Sequence, residues 1–156
     1  MKRSLLLVAT HLGAGALGFA LGIYALPILI AEPAPDAEVL EAQAEAALYS
    51  AALSRDLRGS DGLHWGEGTI SVSPNVISHV GKLAPGPDYR LYLTHEFVEY
   101  EDEFAPIKSD AALIGQIKSY DGFALNVPAG VNIEDYTSVV VWCETFDEFI
   151  TAGTYR

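Results

Sequence analysis

The run Ser138-Val139-Val140-Val141-Trp142-Cys143 limits the possible folds more than any other stretch of the chain. Alternate residues of a strand face the same way, so Cys143 shares a face with Val139 and Val141, while Val140 and Trp142 occupy the other. Both faces are apolar, which suits a strand buried on two sides, as in the middle of a sandwich. Cys143 is the only cysteine, so no internal disulfide forms and stability must come from the core. A thiol in that place is either a small inert hydrophobe or a reactive group set at a strand end. Both readings stay open at this point.

The chain divides by charge. Residues 1–30 hold Lys2 and Arg3 and no acid, whereas residues 31–156 hold all 21 acids against seven bases, the nine of the whole chain less those two. So acidic a surface argues against binding nucleic acid, which needs clustered Lys and Arg, and against electrostatic docking on anionic lipid. From Ser4 to Ile30 no residue carries a formal charge. That run exceeds the ~7–15 apolar residues of a cleavable signal peptide and matches the ~20 needed to span a bilayer. Residues 1–30 are therefore expected to be a transmembrane signal anchor, single-pass, in the inner (cytoplasmic) membrane, with the N-terminus inside by the positive-inside rule. The rest of the chain would then be periplasmic or extracellular. Gly18 and Gly22 form a GxxxG spacing that can pack against a second copy as a homodimer.

Residues 31–60 read as a linker and an Ala-rich helix. Asp36 is placed to cap it, and AEVLEAQAEAALYSAALSRDL is rich in helix formers from Ala37 to Leu57, with Arg55 and Arg58 at its negative end. Its small-residue face, from Leu40 to Ala51, suits either packing on the following domain or pairing as a stalk. Past Gly62 the texture changes to short β-rich runs broken by Gly, Pro, Asn and Asp. Gly68–Ser73, Val76–Leu83, Tyr89–Thr94, Leu113–Lys118, Phe123–Val127, Thr137–Cys143 and Thr151–Tyr155 are the expected strands. Residues 61–156 are thus predicted to form a mainly β domain, an antiparallel β-sandwich or barrel of about seven strands.

The chemistry-bearing residues are few. Glu96 to Glu103 packs five acids into eight residues, but without EF-hand order or a Gly to fold ligands inward it reads as a solvated loop, and no metal site is assigned. His79 and His95 have no partner at metal-ligand spacing, and His64 sits where a strand-leading turn would use its ring to cap backbone groups. A Cys-x-x-Cys-His haem motif is absent, and one Cys cannot build an iron–sulfur or zinc site alone. What remains is haem held by Cys143 or a His, a copper site, or a thiol cycling through sulfenic acid or a mixed disulfide. Glu144, Asp147 and Glu148 flank Cys143, and nearby carboxylates raise a thiol's pKa. The residues name no cofactor. Nor do they show hydrolase machinery that would make the chain an enzyme of that kind.

Read in order, His64 four residues before Gly68-Thr69-Ile70, then GPDYRLYLT, LIGQIK, FALNVPAG and VWCETFDEF, the chain resembles the DM-thirteen domain family over about residues 61–156. This is an electron-transfer module of bacterial exported proteins, also found beside DOMON domains in animal proteins of the Skeletor type. The resemblance implies a redox-associated function in which Cys143 is the redox residue, with another redox protein as partner. It marks His64 and Asp88 as pattern positions without a known role; among the histidines, His64 is the one taken as a candidate to bind a cofactor. The alternative is a non-catalytic interaction or ligand-binding β-sandwich on a membrane stalk.

Overall fold

The computed structural model describes residues 2–156. A 29-residue helix, α1 (Lys2–Ile30), precedes α2 (Ala37–Glu45) and eight strands: β1 (Tyr49–Leu53), β2 (Gly66–Val72), β3 (Val76–Leu83), β4 (Tyr89–Thr94), β5 (Ala112–Ile117), β6 (Phe123–Asn126), β7 (Ser138–Cys143) and β8 (Glu148–Thr154). A short helix, α3 (Glu101–Phe104), interrupts the acidic loop. The strands form two four-stranded sheets, β1-β2-β3-β6 and β5-β4-β7-β8, with every pairing antiparallel. The expected mainly β sandwich is the fold. It has eight strands.

The additional strand corrects the helix expected from Ala37 to Leu57, which stops at Glu45. Tyr49–Leu53 pairs instead with β2, Tyr49 opposite Val72 and Leu53 opposite Gly68. This adds a ladder of backbone hydrogen bonds and buries Ala51 and Leu53 in the sandwich, a gain that overrides the weak helix preference of its small residues. Arg55 and Arg58 are accordingly not helix-end residues. Arg55 bridges Glu67 and lies 3.3 Å over the Trp65 ring, and Arg58 binds Glu99 and Glu103. Asp36 stands at the start of α2, but its carbonyl rather than its side chain accepts the first helical N–H groups. Buried Leu40 seats α2 on the domain.

β7 has buried residues at all six positions. Val139, Val141 and Cys143 join the core between the sheets, with Ile70, Val72, Ile77, Leu91 and Leu93. Val140 and Trp142 face the opposite way, into a second core roofed by the acidic loop through Val98 and Phe104. The alternation read from the sequence is thus realised on both faces.

α1 is the one helix among the described residues long and apolar enough to cross a membrane. Most of it is exposed, but Pro27 is buried against the sandwich. Just beyond, the Glu32 N–H donates to the Lys118 carbonyl and Lys118 Nζ meets the Glu32 carboxylate, both within 3 Å. The last turns of α1 are therefore tied to the end of β5. Gly18 and Gly22 face open space.

At the β2–β3 crossing Gly68 lies opposite Gly81 with φ of 115°, and a Cβ on Gly68 would come 2.2 Å from the Val80 carbonyl oxygen. Gly68→Ala is predicted to lower unfolding free energy by about 1–3 kcal/mol, measured by denaturant titration. A midpoint equal to wild type would contradict this packing.

Candidate functional site: the cavity at Cys143

Cys143 ends β7 opposite Tyr89, the first residue of β4. The Gly86-Pro87-Asp88 turn leads into β4, and its three carbonyls are each used. Tyr120 Oη–H donates to Gly86 (2.7 Å), the Cys143 thiol donates to Pro87 (3.0 Å), and the Glu144 N–H donates to Asp88 (3.1 Å). Asp88 takes a left-handed φ of 48°, and its carboxylate accepts from Arg90 and Gln116. Gly86 is required sterically, because a Cβ there would lie 2.3 Å from Tyr89 Oη. The motif is therefore a turn packed closely against the Tyr89 ring and latched by the thiol.

Cys143 is only 2% exposed, yet it lines a cavity of about 210 Å³. Tyr89, Ile150 and Phe146 share the wall with it, His64 and the turn form the sides, and Ala20, Ile23 and Tyr24 of α1 form the roof. A neighbouring cleft of about 340 Å³ lies along the other flank of the same turn, between Leu26, Pro27 and the end of β5. α1 thus runs over the turn with space on either side.

The two residues singled out in the sequence, Cys143 and His64, meet in this one cavity. His64 does not cap backbone groups with its ring. Its Nδ1 lies 3.2 Å from Asp61 Oδ2, and it is Asp61 Oδ1 that accepts the N–H groups of Leu63 and His64. With Nδ1 donating to the carboxylate, Nε2 is the ring's free nitrogen. Burial pushes the Cys143 thiol above its ordinary pKa, with the charges of Asp88 and Glu148 adding to the rise and the backbone N–H groups of Phe146 and Thr145 opposing it. The direction matches the expectation from flanking acids, but the leading cause is burial. Glu144 is turned away, toward Tyr92 and Lys108. Burial also drives the Tyr89 phenol well above its usual pKa, so it stays protonated. Its hydroxyl makes no hydrogen bond among the described residues.

The other histidines serve locally. His79 is fully buried, and its Nε2–H donates to the Glu67 carbonyl at 3.0 Å. His95 donates to the Asp135 carbonyl and stacks on Tyr136 with ring centroids 4.7 Å apart. In the acidic loop, Glu99 and Glu103 bind Arg58, and Glu101 accepts the Phe149 N–H. Sequence reasoning missed one cluster altogether. Lys108 reaches Glu144 at 2.7 Å and lies 5.3 Å over the Trp142 ring, while the Tyr92 hydroxyl donates to the same carboxylate. Burial opposes ionisation of Glu144, but the Lys108 and Tyr92 hydrogen bonds outweigh it and hold the carboxyl below the usual range. Lys108 and Glu144 are too far apart in sequence for any local pattern to pair them.

As for chemistry, no group of three or more His, Cys, Asp or Glu among the described residues is placed to hold a metal ion. The cavity is smaller than the ~300–1,000 Å³ typical of sites for drug-sized ligands, so a haem macrocycle does not fit between Cys143 and α1. What the site can accept is one small ring or a small oxidant reaching the sulfur.

These features define a β-sandwich carried on a long apolar helix, with a single thiol in the wall of a helix-roofed cavity. The chain belongs to the Electron transfer DM13 family, whose model matches residues 58–155, more than half its length. No curated protein and no solved structure matches it.

With its pKa raised, the Cys143 thiol is mostly protonated at neutral pH, and only the thiolate is nucleophilic. Alkylation by iodoacetamide is predicted to rise with pH to an inflection above the ordinary value of about 8.5, while the denatured chain inflects near that value. An inflection below 7 in the folded protein would contradict the assignment.

Proposed function

We propose that the chain is a membrane-anchored, extracytoplasmic electron-transfer module whose redox group is the Cys143 thiol. Lys2 and Arg3 ahead of the charge-free run favour a cytoplasmic N-terminus, which leaves the sandwich on the periplasmic or extracellular side of the inner membrane. The observation that carries the reading is that the chain's only thiol and His64 line one cavity of a domain whose family is described by electron transfer. A thiol of this kind gives up two electrons by forming sulfenic acid. With hydrogen peroxide as oxidant, an S–O bond forms as the O–O bond breaks, and water leaves. A second redox protein would return the electrons.

The same geometry favours a second reading, in which the thiol's bond to the Pro87 carbonyl latches the turn and the domain is a non-catalytic interaction module. Peroxide followed by a dimedone-type probe separates the two. The redox reading predicts a probe adduct on Cys143 in the folded full-length protein, abolished by Cys143→Ser. An adduct that appears only after denaturation would leave the latch as the whole role of the sulfur.

A further inference from the structure

The cavity holds a feature that neither the thiol's redox role nor the fold explains. Tyr89 is 2% exposed, its ring is wedged against Gly86, and its hydroxyl has no partner among the described residues. The residue lines an otherwise apolar space, where an unpartnered O–H is available to an acceptor. Tyr24 from α1 and His64 also line the space, and aromatic side chains of this kind can pack against a flat ring.

The position of the cavity limits where such a ring comes from. At 1.5 Å per residue the 29-residue α1 is about 43 Å long, whereas the hydrocarbon core of a bilayer is about 30 Å thick. The helix exceeds a span by about nine residues, and the α1 residues that border the two spaces over the turn lie between Ala20 and Ile30. The domain would therefore sit directly on the bilayer surface, with the α1-lined wall of the cavity at the depth where membrane-soluble molecules expose their polar heads.

We propose that this cavity binds the head ring of a membrane-soluble quinone, with Tyr89 donating a hydrogen bond to a ring carbonyl beside Cys143 and α1 forming the roof. A carbonyl-bearing flat ring of this class meets the free donor, the volume and the apolar walls together. The proposal rests on α1 spanning the membrane, and it deepens the electron-transfer reading by naming the small molecule placed next to the sulfur.

The test uses the full-length chain in lipid nanodiscs and a radiolabelled decyl-substituted benzoquinone. Flotation of the chain with lipid checks the anchor separately, and the peroxide assay checks the thiol separately, so failure of either is distinguishable from failure of the site. Wild type should show saturable binding above empty nanodiscs. Tyr89→Phe, which keeps the ring and removes the donor, should weaken binding about 3- to 10-fold. Ala20→Trp, which fills the cavity from the roof, should abolish it. Absence of a saturable component, or wild-type affinity in Tyr89→Phe, would overturn the proposal. So would equal competition by decylbenzene, which lacks the carbonyl. Should Ala20→Trp lose its fold by circular dichroism, the Tyr89→Phe and decylbenzene arms still decide.

Discussion

Burial of β7 on both faces is the constraint from which the rest of this structure follows. A strand with no polar residue between Val139 and Cys143 must be covered twice, once by the opposing sheet and once by something else. The opposing sheet is β1-β2-β3-β6, and the second cover is the acidic loop, which turns Val98 and Phe104 inward while its carboxylates bind Arg58 and the β8 backbone. Parity along the strand then leaves no freedom for the last residue. Cys143 must point between the sheets, at the end where β4 begins and the Gly86-Pro87-Asp88 turn closes over it.

That end is also where α1 arrives. The turn is rigid because each of its carbonyls is bonded and its Gly admits the Tyr89 ring, and a rigid turn gives a helix something to rest on. Pro27 is buried there, and the Glu32–Lys118 contacts hold the helix end in place. Cys143 therefore lines a gap between helix and sandwich. It does not lie on an open surface. Burial that raises the thiol's pKa keeps it from unselective thiolate chemistry.

Much of the sandwich was legible because its strands alternate cleanly and its turns carry Pro, Gly and Asn. Ile70 and Val72, or Leu91 and Leu93, announce an inward face by themselves, and all four are fully buried. β1 was not legible, since Tyr49-Ser50-Ala51-Ala52-Leu53 offers only Ala51 and Leu53 to the core and is otherwise a fair helix. It is a strand because β2 has an open edge for it, which is information from another part of the chain. At the site, the sequence pattern marked Cys143 and His64 but could not place them in one cavity. Ala20 and Tyr24 read as lipid-facing residues, so the roof of the site was invisible. The Lys108–Glu144–Tyr92 group was hidden for a related reason, because three elements distant in sequence supply it.

The central claim is that α1 lies over the cavity that Cys143 lines. Ala20→Cys places a second thiol in that roof, and the thiol crosslinker dibromobimane becomes fluorescent when it bridges two nearby sulfurs. In the full-length protein reconstituted in lipid, Ala20→Cys should give a bridged product with Cys143, whereas Leu21→Cys, which does not line the cavity, should label without bridging. Bridging at both positions alike, or none at Ala20 while both of its thiols label singly, would contradict the account.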